Sequence, residues 1–347
     1  MTRTLLLAGT FVLAAAAGVL HFADASPVAI FAVAGLAIAA LAWVVSAATE
    51  SVGARYGPAV TGVLQATLGN LPELFIVLFA IAAGELLVAR TAVLGSLFAN
   101  ALLVLGLAIL AGSLRASDGV MRFAPRLPND TFTLLMLAIF IIVLVGISHE
   151  VDDRASEHDV TISAICAVLL LSLYAVWLVG YLRGGAQQEP TAEEPAFSFR
   201  LGLALLTAGG VASALVADWF VDSLDGAIES LGISKAFTGV VIVGIVGNAV
   251  EHAVGVTLAA RGQSDLAISV IKNSVAQIAV FLYPALVLLS LFFEHRLTFV
   301  LGPVAIGALV LMALAIWQIT TDGEAVMFEG WALVCLYLVV AVIAWFE

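Results

Sequence analysis

The chain has 347 residues, of which 63% are hydrophobic and 11% charged, with a mean hydropathy of +1.16. Soluble domains carry roughly 25% charged residues, so an ordinary soluble globule is excluded and a polytopic all-α membrane protein is expected. The formal charge of −12 gathers in connections such as His149–Asp159 and Gln187–Glu194, acidic rims that concentrate cations and repel nucleic acid.

Apolar segments reaching the ~20 residues a helix needs to cross hydrocarbon recur along the whole length. They predict eleven spans, near 4–22, 27–48, 58–83, 88–112, 130–148, 160–182, 199–217, 236–260, 264–291, 297–318 and 328–346. In the first, Arg3, the run Leu5–Leu20 and Ala23-Asp24-Ala25 imitate a secretory signal with a small-residue cleavage site. The alternative is an uncleaved extra helix over 1–25. Cys166 and Cys335 fall within spans and lack CxxC or Cys/His spacing, which argues against a disulfide framework or a zinc site. With the N-terminus in the cytoplasm, the connections on that side hold Arg3, Arg55, Arg115, Arg122, Arg126, Arg183, Arg200 and Arg261. The other side holds Arg90, Arg154, Lys235 and Arg296, and this basic excess favours a cytoplasmic N-terminus in a plasma (inner) membrane.

Two glutamates break the apolar pattern: Glu73 in Gly69-Asn70-Leu71-Pro72-Glu73 and Glu251 in Gly247-Asn248-Ala249-Val250-Glu251. An ionisable group at bilayer depth costs at least ~2.5–3.5 kcal/mol, so it persists where it faces protein, water or a cation. The halves repeat around these glutamates. Gly69-Asn70 and Gly247-Asn248 lie 178 residues apart, and Thr61-Gly62 and Thr238-Gly239 lie 177 apart. Asn100 and Gln277, also 177 apart, each offer an amide about one span beyond their glutamate.

Taking 1–25 as an extra helix, the repeats become 26–182 and 199–347, joined by an acidic linker over 183–198. Five spans per repeat is an odd number, so the second half is expected upside down, with a site near the midplane. Gly weakens a helix and Pro removes a donor, which frees backbone carbonyls as ligands. Small residues at these positions also serve plain helix packing.

On a helix, Asn70 and Glu73 share a face, as do Asn248 and Glu251. Two carboxylates, two amides and freed carbonyls suit the six to eight oxygens of Ca²⁺. A soft transition metal would call for Cys, Met or His. Glutamates at that depth bind protons as well as cations, and competition between the two in a two-state carrier is exchange. His252 follows Glu251 directly and points away from it, either handling protons or forming a buried hydrogen bond. HExxH spacing and Walker A glycines are missing, so neither metalloprotease chemistry nor ATP coupling is expected. The chain reads as a transporter with no cofactor, and not as an enzyme.

The stretches Ala48-Thr49-Glu50, Ala66-Thr67-Leu68-Gly69-Asn70-Leu71-Pro72-Glu73 and Gly95-Ser96-Leu97-Phe98-Ala99-Asn100 carry a family resemblance. In the second half the stretches that carry it are Ile245-Val246-Gly247-Asn248-Ala249-Val250-Glu251-His252, Asp265-Leu266-Ala267-Ile268 and Gln277-Ile278-Ala279. The chain resembles the calcium/cation antiporter superfamily, most closely its calcium/proton exchanger branch, over nearly its whole length after the first span. That resemblance implies a ten-helix alternating-access core with Ca²⁺ held by Glu73 and Glu251, assisted by Asn70, Asn248, Ser96, Asn100, Ser274 and Gln277. It also implies acids for proton coupling or cation entry at Glu50 and at Asp225 or Glu229. The chain departs from the family's Gly-Ser-Ser-x-Gln at Asn273-Ser274-Val275-Ala276-Gln277, preceded by Lys272. Lys272 either modifies ion selectivity or points elsewhere. Alternatives are Na⁺/H⁺, K⁺/H⁺ or Na⁺/Ca²⁺ exchange on the same fold, and, from another class, a passive cation channel or a non-transporting scaffold.

Overall fold

A computed structural model describes residues 2–56, 58–124, 126–183 and 196–347. Residues 184–195, most of the expected acidic linker, lie outside the described residues.

The chain begins with α1 (Thr2–Phe22) and α2 (Pro27–Gly53), the latter capped by the Ser26 hydroxyl, which accepts from the Ala29 N–H. Helices α3 (Pro58–Leu68) and α4 (Leu71–Ala82) follow. Next, α5 (Leu86–Phe98) runs through a π-helical stretch, Ala99–Val104, into α6 (Leu105–Arg115). The strand β1 (Val120–Arg122) leads to α7 (Arg126–Glu150), α8 (Asp159–Arg183), α9 (Phe199–Asp222) and α10 (Leu224–Leu231). Then α11 (Lys235–Phe237) passes through a second π-helical stretch, Thr238–Val243, into α12 (Gly244–Gly247) and α13 (Ala249–Ala260). Helix α14 (Ser264–Gln277) continues through the π-helical Ile278–Leu282 into α15 (Tyr283–Ser290). The chain closes with α16 (Pro303–Thr320), β2 (Glu324–Val326) and α17 (Met327–Phe346).

Among the described residues nine helices are long and apolar enough to cross a bilayer, or up to ten counting a bent pair as one span. The protein is a polytopic helical membrane protein. The expected spans 58–83 and 236–260 are broken helices. Pro72, which has no N–H, falls in the first turn of α4, where Pro is tolerated, and Asn70 at φ −91°, ψ 13° stands outside both flanking helices. Asn248 interrupts the second span between α12 and α13. The breaks fall where Gly and Pro weaken the helix, and each asparagine stands at a break rather than on a regular helix face. The repeat is visible in the elements: α4 and α13 each have 12 residues, and from Leu71 to Ala249 is 178 positions, as from Leu86 to Ser264.

The chain divides into two compact units. The first comprises Met1–Glu85, Ala175–Ile233 and Val246–Val250. Its centre is α2, whose sequence is apolar on nearly every face, as expected of a span enclosed by protein. Helix α9 closes on α2 because Gly202 and Gly209, seven apart, turn bare backbone to Ser51 and Val45. Phe31 stacks on Phe220 with ring centroids 4.5 Å apart, and α1 lays Gly18 against the Trp219 ring. Helix α10 rests at the start of α2, Gly226 against Pro27, so it lies at the opposite end of that 27-residue helix from Glu50. At 1.5 Å per residue those ends are roughly 35 Å apart.

The second unit comprises Leu86–Tyr174, Ser234–Ile245 and Glu251–Glu347. Within it α5 packs on the stretch Thr238–Val243. A Cβ on Gly244 would lie 2.6 Å from the Gly95 backbone, and α6 and α17 meet as closely through Gly106 and Gly330. Strands β1 and β2, which the all-α expectation did not include, pair antiparallel, Met121 opposite Ala325. Arg122 donates to Asp118 at 2.7 Å and to Glu324 at 3.2 Å, holding the Asp118 carboxyl below its ordinary range.

Replacing Gly95 by Ala is expected to cost about 1–3 kcal/mol through overpacking against Val240. Gly180→Ala, where a Cβ meets nothing within 4 Å, should leave stability unchanged or slightly raised. Thermal unfolding of both variants in detergent checks the contrast.

Candidate functional site

In the first unit the two Gly-Asn motifs meet. Glu73, on the third residue of α4, is fully buried, and Gly247 lies so close that a Cβ there would stand 3.3 Å from the Glu73 Cβ. Asn70 and Asn248 are buried in the same unit, at 5% and 0% exposure. The Asn70 carbonyl accepts the Leu74 N–H at 3.0 Å, so the asparagine starts α4 with its backbone and keeps its amide for other uses. Sequence reasoning missed Gln65. Its Nε2 donates to Ser46 Oγ at 2.6 Å, while its Oε1 is buried without a hydrogen-bond partner. Gln65 lies one helical turn before Gly69, whose missing side chain leaves room for the amide. An orphaned buried carbonyl oxygen is the only signal that finds it, because the residue stands outside the Gly-Asn-x-x-Glu pattern.

Glu50, Asp225 and Glu229 are exposed in the first unit, Glu50 near the end of α2 and the other two on α10. Glu50 and the two α10 acids mark opposite ends of α2.

In the second unit Ser96 and Asn100 are fully buried, and Asn100 Nδ2 donates to the Ser96 carbonyl at 3.0 Å. Asn100 lies inside the first π-helical stretch, and Gln277 is the last residue before Ile278–Leu282. The wider turn of a π-bulge, common at functional sites, thus accompanies both amides that the repeat singled out. Helix α14 packs on Ala99–Val104, and it carries Ser274, whose Oγ is buried without a partner. Glu251 is the third residue of α13, as Glu73 is of α4, and His252 beside it has a buried Nε2 with no partner.

Lys272 turns towards α16. Its Nζ donates to Thr320 Oγ1 at 2.7 Å, and its stem lies among Ala101, Leu105, Leu135 and Ile316. Thr320 ends α16, so the ammonium runs along apolar side chains to a buried hydroxyl at a helix end.

Among the described residues no group of three or more His, Cys, Asp or Glu side chains gathers as a metal cage. A cation here would draw on few carboxylates and on amide, hydroxyl and carbonyl oxygens, a set suited to a hard ion.

The sequence profile of a family described as sodium/calcium exchanger protein matches residues 26–182 and 201–346. A Ca(2+)/H(+) antiporter of Aphanothece halophytica is 30% identical over 94% of this chain and 92% of its own length. The Ca(2+)/H(+) antiporter ChaA of Bacillus subtilis is 32% identical over 90% of this chain and 91% of its own length. The solved structure of native YfkE superposes with a TM-score of 0.83 at 29% identity, covering 97% of this chain and 100% of that one.

The Lys272 contact predicts an asymmetry. Thr320→Val leaves a buried ammonium without its acceptor and should cost about 1–3 kcal/mol. Lys272→Met removes the charge and keeps the volume, and should be neutral or stabilising. Unfolding temperatures of the two variants in detergent provide the check.

Proposed function

We propose, because the chain belongs to the sodium/calcium exchanger protein family, that it is a secondary active antiporter exporting Ca²⁺ from the cytoplasm in exchange for H⁺. The family is one of transporters, and the names of two close relatives give the same ion pair. The observation that carries the reading is the burial of Glu73 against Gly247, which brings the first motif's carboxylate to the second motif in a chain of membrane-spanning helices.

In this reading Glu73 and Glu251 are the central ligands. Asn70, Asn248, Ser96, Asn100, Ser274 and Gln277 add oxygens, and Gln65 Oε1 is a further candidate. The orphaned Ser274 Oγ and Gln65 Oε1 support it, since each is a buried polar atom that a bound cation would satisfy. Residues 26–182 and 199–347 are the inverted repeats, in keeping with the two stretches that the family profile matches. The bond from Lys272 to Thr320 favours a structural anchor over an ion-selective charge, which weakens the case for Na⁺ or K⁺ as the exported ion.

The cycle follows from charge. Cytoplasmic Ca²⁺ binds the ionised carboxylates, the carrier switches, and external protons compete it off. The protonated site then returns, whereas bare carboxylates are too costly to enclose in a low-dielectric interior. Glu50 and either Asp225 or Glu229, at opposite ends of α2, serve the two membrane faces as entry or proton-coupling acids. The membrane is the plasma (inner) membrane and the N-terminus is cytoplasmic.

In proteoliposomes under a pH gradient, Glu73→Gln and Glu251→Gln should each reduce Ca²⁺ uptake about a hundredfold, equivalent to ~2.7 kcal/mol. Uptake that persists in either variant removes that residue from its role. Gly247→Ala, which crowds Glu73 without touching charge, should weaken Ca²⁺ binding roughly tenfold and leave the fold intact. Glu50→Gln and Asp225→Asn should alter apparent affinity from opposite faces, read in right-side-out and inside-out vesicles.

A further inference from the structure

A cavity lies within the second unit, and no residue of either glutamate motif lines it. Its volume is about 230 Å³, and it is framed by the start of α5, the start of α16 and the last turns of α17. Three helix ends coincide here, so its mouth is at the membrane surface. Leu87, Leu94 and Phe98 line it along α5, which carries the cavity about 17 Å into hydrocarbon at 1.5 Å per residue. Val340 and Ile343 face it from α17, and Ile343 and Trp345 are exposed nearby.

Two charged residues line these otherwise apolar walls: Arg90 and Glu347. Among the described residues Arg90 Nε is buried without a hydrogen-bond partner, and one terminal nitrogen donates to Thr298 Oγ1 at 3.4 Å. Among the described residues the ion pairs include neither Arg90 nor Glu347. The first turn of α16 also opens here. Its N-cap is Gly302, which has no side chain to cap it, and the Val304 and Ala305 amides have no acceptor within the helix. A buried guanidinium donor beside a helix N-terminus suits a phosphate. A carboxylate across the same cavity suits an ammonium.

We propose that this cavity is a binding site for phosphatidylethanolamine from the surrounding bilayer. The phosphate sits on Arg90 and the α16 N-terminus, the primary ammonium on Glu347, and one acyl chain lies along Leu94, Phe98 and Val340. Free phosphate would leave the apolar wall unused. A phosphatidylglycerol headgroup would set an uncharged glycerol, and no cation, beside Glu347, and phosphatidylcholine has no N–H with which to reach the carboxylate.

The test is native mass spectrometry of the full-length protein in detergent, titrated separately with phosphatidylethanolamine, phosphatidylglycerol, phosphatidylcholine and inorganic phosphate. One phosphatidylethanolamine per protomer is expected, preferred at least about tenfold over the other two lipids, a margin of ~1.4 kcal/mol. Arg90→Gln should lower that binding about tenfold or more. Ala308→Trp, which fills the apolar wall from α16, should do the same without touching charge. Glu347→Gln should keep binding and erase the preference over phosphatidylglycerol. Equal binding of the three lipids overturns the proposal. So does Arg90-dependent binding of phosphate alone, or phosphatidylethanolamine binding that survives both Arg90→Gln and Ala308→Trp.

Discussion

A carboxylate cannot rest inside a bilayer-spanning segment without a partner, and much of this architecture answers that constraint at Glu73 and Glu251. Each glutamate is the third residue of a short helix that follows a break at an asparagine. The break supplies polar backbone, and the first helical turn presents N–H groups that stabilise negative charge. Irregular backbone at this depth is tolerated only where protein or a water-filled cavity surrounds it. The close packing of α2, α9 and α4 provides that enclosure for the first motif. Gly247 completes it, because any larger residue would press on Glu73.

The second unit solves a related problem by different means. Glycine contacts, Gly95 with Gly244 and Gly106 with Gly330, bring helices to backbone distance where lipid provides no hydrophobic drive for association. The π-helical turns beside Asn100 and Gln277 add ring-opening irregularity without breaking the span. Polar oxygen is thus offered within continuous helices here, and at helix breaks in the motifs themselves. In the proposed exchange, that combination gives a divalent ion enough oxygens while keeping the count of fixed charges low enough for protons to replace it.

Much of this was legible in the sequence, for reasons that differ residue by residue. A glutamate in an apolar run is conspicuous, and the spacing of the Gly-Asn pairs exposed a repeat that reappears as matching bounds of α4 and α13. The breaks were foreshadowed by Gly69 and Pro72 around Asn70 and by Gly247 before Asn248. Asn70 was read as a helix-face residue and instead stands before α4, because Pro72 restricts where the new helix can begin. Gln65 escaped notice because nothing in the second half repeats it, and only its orphaned oxygen betrays it. The direction of Lys272 could not be read from its spacing to Gln277, and tertiary packing turns it to Thr320. Strands of three residues carry no usable periodicity, so the β1–β2 pair emerges only from the meeting of two distant connections.

The central claim is that Ca²⁺ and H⁺ occupy the same carboxylates in turn, and calorimetry tests it most directly. Ca²⁺ is titrated into the purified protein at one pH in two buffers of different ionisation enthalpy. Binding is expected to release protons, so that the observed heats differ between buffers, and the difference is expected to shrink in Glu73→Gln. Binding of Ca²⁺ with identical heats in both buffers, across the pH range where the site exchanges, would contradict it.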